Sequence, residues 1–256
     1  MLFLLLGNVM SHPQRRLSLE LVDQGKSFCV LSSTIVEAFS EPYCLTLSFE
    51  SSVPLDELAL VGQQATLRVS ERVERHYHGL IKKIEVARSI MSSHYAYVIE
   101  IAPWLDFLAQ QKINRTFIHQ TVPEIVLSCA ERLGIRSIDV SALTHSYSPR
   151  EYCVQFNEST LHFLSRLLSE EGIYYYFTFD SCSYNMHLAD STSSYVVSPD
   201  LWPLGTHAAL HFTQWQEQWR LLDKMAEVLD YNNEAPSLPL RQQASLAQVG
   251  LSALQQ

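Results

Sequence analysis

The chain is poor in charge: only 18% of its 256 residues are Asp, Glu, Lys or Arg, which suggests that much of its surface is meant to be covered by partners. It is poorer still in positive charge, with 18 Lys and Arg against 27 Asp and Glu. A net charge of −9 argues against nucleic acid or an anionic membrane as the main ligand, because both select for basic surfaces. The five cysteines (Cys29, Cys44, Cys129, Cys153, Cys182) never form a C-x-x-C pair, so they imply no disulfide framework and fit a reducing cytoplasm. No apolar run approaches the ~20 residues of a membrane span. The apolar opening, Met1 to Leu6, has no basic residue before it and reads as a weakly packed terminus or a misassigned start rather than a signal peptide. G-x-S-x-G, H-E-x-x-H, Walker A and G-x-G-x-x-G are all missing.

What is present is β-sheet patterning. From Leu17 to Ile101 apolar residues alternate in short runs separated by turn chemistry, and no convincing helix interrupts them. Leu17–Leu21, Phe28–Val36, Tyr43–Phe49, Ala65–Val69, Tyr77–Val86 and Ser93–Ile101 all read as antiparallel strands. Together they predict a closed or nearly closed barrel, which removes exposed strand edges. Pro103 then opens a short helix carrying Trp104, Leu105 and Leu108. Thr121-Val122-Pro123-Glu124 is a capping box; its helix has the apolar stripe Ile125, Val126, Cys129, Ala130 and Leu133 and ends at Gly134.

The most informative stretch runs from 150 to 179. Glu151–Phe156 reads as a strand stopped at Asn157, and either Asn157 or Ser159 can cap the helix that follows. Glu158 adds negative charge at that helix start. Leu161, Leu164, Leu167 and Leu168 form one helical stripe, and Gly172 supplies the left-handed residue that ends it. Ile173–Phe179 is apolar or aromatic on both faces, so it reads as a strand covered twice. Asn185–Asp190 should pair as a further strand, and Ser191–Gly205 reads as a polar loop. For Leu210–Tyr231 the spacing of Trp215, Trp219, Leu222, Ala226 and Leu229 favours a helix.

Candidate chemistry is sparse. His76 and His78 share one strand face, and His207 and His211 are spaced i, i+4, which would suit a metal if that segment were helical, but no acidic or cysteine partner sits at a fixed offset from them, so polar or solvated histidines are expected rather than a metal site. Glu170 and Glu171 are adjacent on a helix and point about 100° apart, which prevents them from flanking one glycosidic bond. Their expected role is structural or interfacial, with Arg166 as an ion-pair partner of Glu170. The Tyr174–Phe179 aromatics read as core rather than as a sugar platform. No catalytic, cofactor-binding or metal-binding residue is assigned.

Tyr152–Ser159 together with Phe163–Phe177, and in particular Arg166, Leu167, Glu170, Glu171, Gly172 and Ile173, resembles the N-terminal, phage-hub-like region of VgrG. VgrG is the spike protein of the type VI secretion system and is related to contractile-phage tail hubs. Gly79, Ala102–Leu105, Arg115–Phe117, Asp190 and the stretch from Asp230 to Pro236 support the likeness, which covers about residues 17 to 240. The resemblance implies a mixed, β-dominated (α+β) fold with two antiparallel β-barrel-like domains and a few short helices. On this reading 17–102 is the first barrel, completed in one version by 206–232. Residues 103–205 are the second, with helices near 121–133 and 159–171, and 233–256 is a flexible tail or linker toward a spike domain. For 210–231 the family pattern points to strands against the helical periodicity. The OB-fold and needle of full-length relatives lie outside this sequence. The implied function is a structural hub and spike base of a contractile injection apparatus, a homotrimer that adapts a hexameric Hcp-like tube to a spike. It would need no cofactor, would not insert in a membrane, and would assemble at the baseplate in the cytoplasm or be exported through the apparatus. The rival readings are a cell-wall hydrolase, marked by two carboxylates across a cleft, and a carbohydrate-binding β-module, marked by exposed aromatics.

Overall fold

Alternation decides the first half. In β2 (Arg16–Leu21), Leu17, Leu19 and Leu21 all point inward, and β4 (Cys44–Ser51) does the same with Leu45, Leu47 and Phe49. β7 (Tyr95–Ala102) adds Tyr97, Ile99 and Ile101, so three strands of period two supply half of one sealed core. β3 (Lys26–Glu37), β5 (Gln64–Ser70) and β6 (Arg75–Arg88) complete a ring in which β2 pairs β3 and β5, β5 pairs β6, β6 pairs β7, β7 pairs β4, and β4 returns to β3. Every pair is antiparallel, and the six-stranded barrel closes. Two strands are long enough to bend between neighbours: β3 pairs β2 through residues 26–29 and β4 through residues 30–36, with a register shift between Val30 and Ser32. A second shift, between Ile81 and Lys83, bends β6. β1 (Leu4–Leu6) pairs with the far end of β3.

This is a computed structural model, and it describes residues 4–6, 16–22, 25–70, 74–88, 94–192, 225–230, 237 and 240–245. The chain forms two units, Met1–Ser198 and Pro199–Gln256. In the second, β13 (Met225–Asp230) pairs antiparallel with β14 (Leu240–Ser245). The described part of 210–231 is therefore strand, as the family pattern implied and the periodicity did not. The rest of that segment, and most of the expected 191–205 loop, lies outside the described residues.

One element of the barrel half was not anticipated. α1 (Glu57–Leu60) is a single turn, capped by Asp56, whose side chain accepts from the Ala59 N–H at 3.1 Å. It is too short to leave a periodic signature.

Beyond Ala102 the chain builds a second apolar core. α2 (Trp104–Phe107) buries Trp104 and Leu105, and α3 (Val122–Glu131) buries Val122, Ile125, Val126, Cys129 and Ala130. Both halves of the capping box form, with Thr121 N–H donating to Glu124 at 2.8 Å. Leu133 is 52% exposed because the helix ends before it. α4 (Thr160–Glu170) buries Phe163, Leu164, Leu167 and Leu168. Leu161 is only half-buried, so Phe163 takes the place in the stripe expected of it. Each buried leucine stabilises by roughly 1.5–3 kcal/mol, enough to hold an eleven-residue helix that propensity alone would not. α3 and α4 end alike: Gly134 and Gly172 adopt φ of +73° and +69°, and the next residues, Ile135 and Ile173, donate back to Ala130 and Leu168 at 3.0 and 2.8 Å.

The sheets around these helices are small. β8 (Lys112–Gln120) and β10 (Arg150–Ser159) form an antiparallel ribbon. β11 (Tyr174–Phe179), β12 (Tyr184–Ala189) and β9 (Ile138–Ala142) form a three-stranded sheet, in which β9 and β12 run parallel although antiparallel pairing was expected throughout. β10 also outlasts its expected stop. Asn157 does not end the strand; at φ +49° it forms a bulge between Gln155 and Glu158, and Ser159 is the helix cap, accepting from His162 N–H at 3.2 Å.

Candidate functional site

β11 joins the two cores. Tyr175 packs in the second core, Phe179 packs against the barrel, and Phe177 touches both. Alternate residues therefore serve one inward face, while Tyr174 and Tyr176 turn the other way and meet Phe39 edge-on at 5.4 and 6.2 Å. The barrel answers with Tyr43, 1% exposed, whose ring lies 5.0, 5.1 and 5.8 Å from Phe177, Phe179 and Tyr184. Three backbone-directed hydrogen bonds fix this seam. Ser40 N–H donates to Tyr175 O at 2.9 Å, Trp104 N–H donates to the Tyr184 hydroxyl at 2.9 Å, and the Tyr43 hydroxyl donates to His78 O. Burial, reinforced by Tyr184 and Glu37 nearby, raises the Tyr43 phenol far above its ordinary pKa, so it stays a donor.

His78 belongs to the same seam. Its Nδ1 meets Thr66 Oγ1 at 2.9 Å and its Nε2 meets Asp180 O at 3.0 Å; because a carbonyl only accepts, Nε2 carries the proton. His76 stacks on it at 6.2 Å and lies 3.5 Å from Glu74. Both histidines are thus engaged in polar contacts. Among the described residues no group of three His, Cys, Asp or Glu side chains converges as metal ligands; His207 and His211 lie outside them.

A cleft of about 640 Å³ opens beside the seam, lined by Glu37, Glu74, Arg75, His76, Phe179 and Asp180. Burial pushes the Glu37 carboxyl above its ordinary range, and Arg75 pulls it part of the way back. Glu74 is drawn to Arg68 at 3.3 Å and to His76. Asp180 accepts from Cys182 N–H and Ser183 N–H at 2.7 and 2.6 Å, which hold it below the usual carboxylate range and close a turn. Glycoside hydrolysis needs two carboxylates free to face one bond. Here two of the three acids are committed to the fold.

Charged side chains concentrate instead on α4. Arg150, at the start of β10, donates to both Glu170 and Glu171 at 2.8 Å. Arg166 donates to Glu170 at 3.1 Å and to Glu158 at 2.8 Å, and His162 meets Glu158 at 2.8 Å. Burial raises the Glu170 and Glu158 carboxyls, but the ion pairs outweigh it and bring both below their ordinary values. Glu170 and Glu171 both accept from Arg150. They lock the end of the helix to the start of the strand before it. The Glu170–Arg166 pair was foreseen; Arg150, which anchors both acids, was not, because nothing local links positions so far apart.

Asp190 was singled out only by resemblance, and its role is now visible. The side chain is 3% exposed and accepts from Thr144 N–H, Thr144 Oγ1, His145 N–H and the Tyr147 hydroxyl at 2.8–3.0 Å. Burial alone would raise its carboxyl; the donors from His145, Thr144 and Tyr147 outweigh burial and hold it far below the usual range. It pins the 143–147 loop onto the end of β12.

Gly79 likewise has a physical reason. A methyl group placed there would lie 2.6 Å from Ile101 Cγ2 and 2.8 Å from Ala102 O, so β6 and β7 approach closely only because the position is glycine.

A family model described as phage tail baseplate hub matches residues 36–255. The type VI secretion system spike protein VgrG1b of Pseudomonas aeruginosa is 27% identical over 221 residues, covering 82% of this chain and 30% of its own length. VgrG4b of the same organism is 35% identical over 167 residues, 64% of this chain and 20% of its own length. The chain therefore spans about a third or less of the curated relatives it matches. Among solved structures, the E. coli c3393 protein is described as a type VI secretion component similar to the T4 tail proteins gp27 and gp5. It superposes with a TM-score of 0.59 at 23% identity over 77% of this chain and 51% of its own. A tail protein from Neisseria meningitidis MC58 gives 0.61 at 12% identity over 93% and 69%. At these identities the likeness is one of fold.

Proposed function

The chain belongs to the phage tail baseplate hub family, and from that premise we propose that it is a non-catalytic hub and spike base of a contractile injection apparatus. Three copies form a ring that adapts a hexameric Hcp-like tube to a spike. The domain division that fits this role places one barrel in 17–102 and the second body in 103–205, each with its own apolar core. Assembly takes place at the cytoplasmic baseplate, without membrane insertion.

The observation that carries this reading is the seam. A ring subunit transmits load between its neighbours, and the packing of Tyr43 on Phe177 and Tyr184 supports a subunit whose two cores are joined by packed side chains and not by a linker alone. The same reading accounts for the charge chemistry: the carboxylates at Glu74, Glu170, Glu171 and Asp190 are spent on holding elements together. Co-expression with the hexameric tube protein tests it. A complex of three hub chains per tube hexamer is expected, and a Glu37→Gln variant should assemble equally well. Peptidoglycan hydrolysis that disappears with Glu37→Gln would overturn the non-catalytic reading.

A further inference from the structure

A cavity of about 290 Å³ lies where the C-terminal half of α4, the start of β11 and the 38–43 loop of the barrel half meet. Ser165 and Ser169 stand one helical turn apart on the same face of α4, Ser40 lines the cavity from the loop, and Leu168 and Ile173 supply apolar wall. The Ser40 N–H, donating to Tyr175 O at 2.9 Å, ties the loop to the strand beside it.

Tyr175 makes this more than a packing gap. It lines the cavity, is 1% exposed, and its hydroxyl is buried without a hydrogen-bond partner. The neighbouring tyrosines are different: Tyr43, Tyr97 and Tyr184 each engage their hydroxyls with backbone groups. Burial raises the Tyr175 phenol far above its ordinary value, Glu41 and Asp106 push the same way, and the Ser165 hydroxyl beside it draws it part of the way back. At neutral pH the group is therefore an uncharged hydroxyl, placed next to a cavity-lining serine. Buried polar atoms are nearly always paired, so an orphaned hydroxyl at a cavity wall calls for a partner that comes from outside the chain.

The lining decides what that partner is. Among the described residues no Asp, Glu, Lys, Arg or His lines the cavity, and Glu170 and Glu171, which flank Ser169 and Gly172 in the chain, are both held by Arg150. An anion would meet no counter-charge and would feel the same acids that raise Tyr175. A wholly apolar ligand would leave the hydroxyls unpaired. A small neutral molecule with several hydroxyls and one apolar flank satisfies both conditions. We infer that the cavity binds a single neutral sugar residue, its hydroxyls pairing with Tyr175, Ser165 and Ser169 and its C–H face resting on Leu168 and Ile173. The volume is at the lower end of the roughly 300–1,000 Å³ of small-molecule sites, which suits one ring and not a chain. This inference goes beyond the hub reading and stands or falls separately from it.

Saturation-transfer difference NMR on the full chain tests it, with glucose, N-acetylglucosamine and glucuronate as probes. Both neutral sugars should receive saturation and bind weakly, at roughly millimolar Kd, whereas glucuronate should not. Tyr175→Phe removes only an unpaired hydroxyl, so it should melt at or above the temperature of the parent chain while weakening binding by about tenfold. Ser169→Leu fills the cavity from an exposed helix position and should abolish the signal without lowering the melting temperature. No transfer to either neutral sugar overturns the inference, and so does binding that survives both variants or glucuronate that binds as well as glucose. If either variant instead changes the mass of the protein in sedimentation velocity, the cavity seats a side chain of a neighbouring copy and the sugar assignment is wrong.

Discussion

Arg150 and Glu171 stand at opposite ends of the strand–helix unit and meet at 2.8 Å, the same distance at which Arg150 holds Glu170. One guanidinium thus closes the loop formed by β10 and α4. Arg150→Ala should lower stability by about 1 kcal/mol, as expected for a part-exposed network rather than a buried pair. Arg150→Lys should recover only part of this, because lysine lacks the planar guanidinium whose two terminal nitrogens reach Glu170 and Glu171 separately. Urea denaturation of the two variants measures both.

The leucine stripe sets a larger scale. Leu164→Ala should cost about 2–5 kcal/mol, because the site is 1% exposed and the truncation leaves a cavity in the second core. Leu164→Asp should leave the second core unfolded. Leu161→Ala, at a half-buried position, should cost well under half as much as Leu164→Ala. Thermal melts followed by near-ultraviolet circular dichroism would separate the three.

The glycines are not equivalent. Gly172→Ala meets nothing within 4 Å and suffers only the left-handed backbone, roughly 1–2 kcal/mol. Gly79→Ala collides with the backbone of Ala102 and must spread β6 from β7, so it should destabilise more than Gly172→Ala and increase amide exchange in those two strands. Hydrogen exchange reads this directly.

How far the sequence could be read follows from range. The barrel strands, the Thr121–Glu124 box, the α4 stripe and the Gly172 stop are all local patterns, and each is found where alternation or helical spacing put it. What escaped is non-local. β8 and β9 are strands because of what they pair with, and β9 pairs in parallel, which no short pattern encodes. Asn157 reads locally as a stop but is absorbed as a bulge, because β8 keeps pairing with β10 as far as Ser159. Of the candidate functional surface, the motif around Arg166 and Glu170 was visible, whereas the seam at Tyr43 depends on register and packing.

Two acids should respond to pH with opposite signs. Asp190 is held below its unfolded pKa, so its contribution is complete above the ordinary carboxylate range near pH 4 and is lost as the pH falls below it. Asp190→Asn should therefore destabilise at pH 7 and flatten the acid limb. Glu37 is raised, so its ionisation opposes folding above that range and the penalty disappears on acidification. Glu37→Gln should stabilise at pH 7 and have little effect near pH 4. Paired melts at the two pH values test both signs.

The proposed ring has a direct signature in mass. Light scattering on the purified chain across a wide concentration range tests it most directly. A species of three times the 29.2 kDa chain mass is expected, and a species of 29.2 kDa at every concentration would contradict the ring.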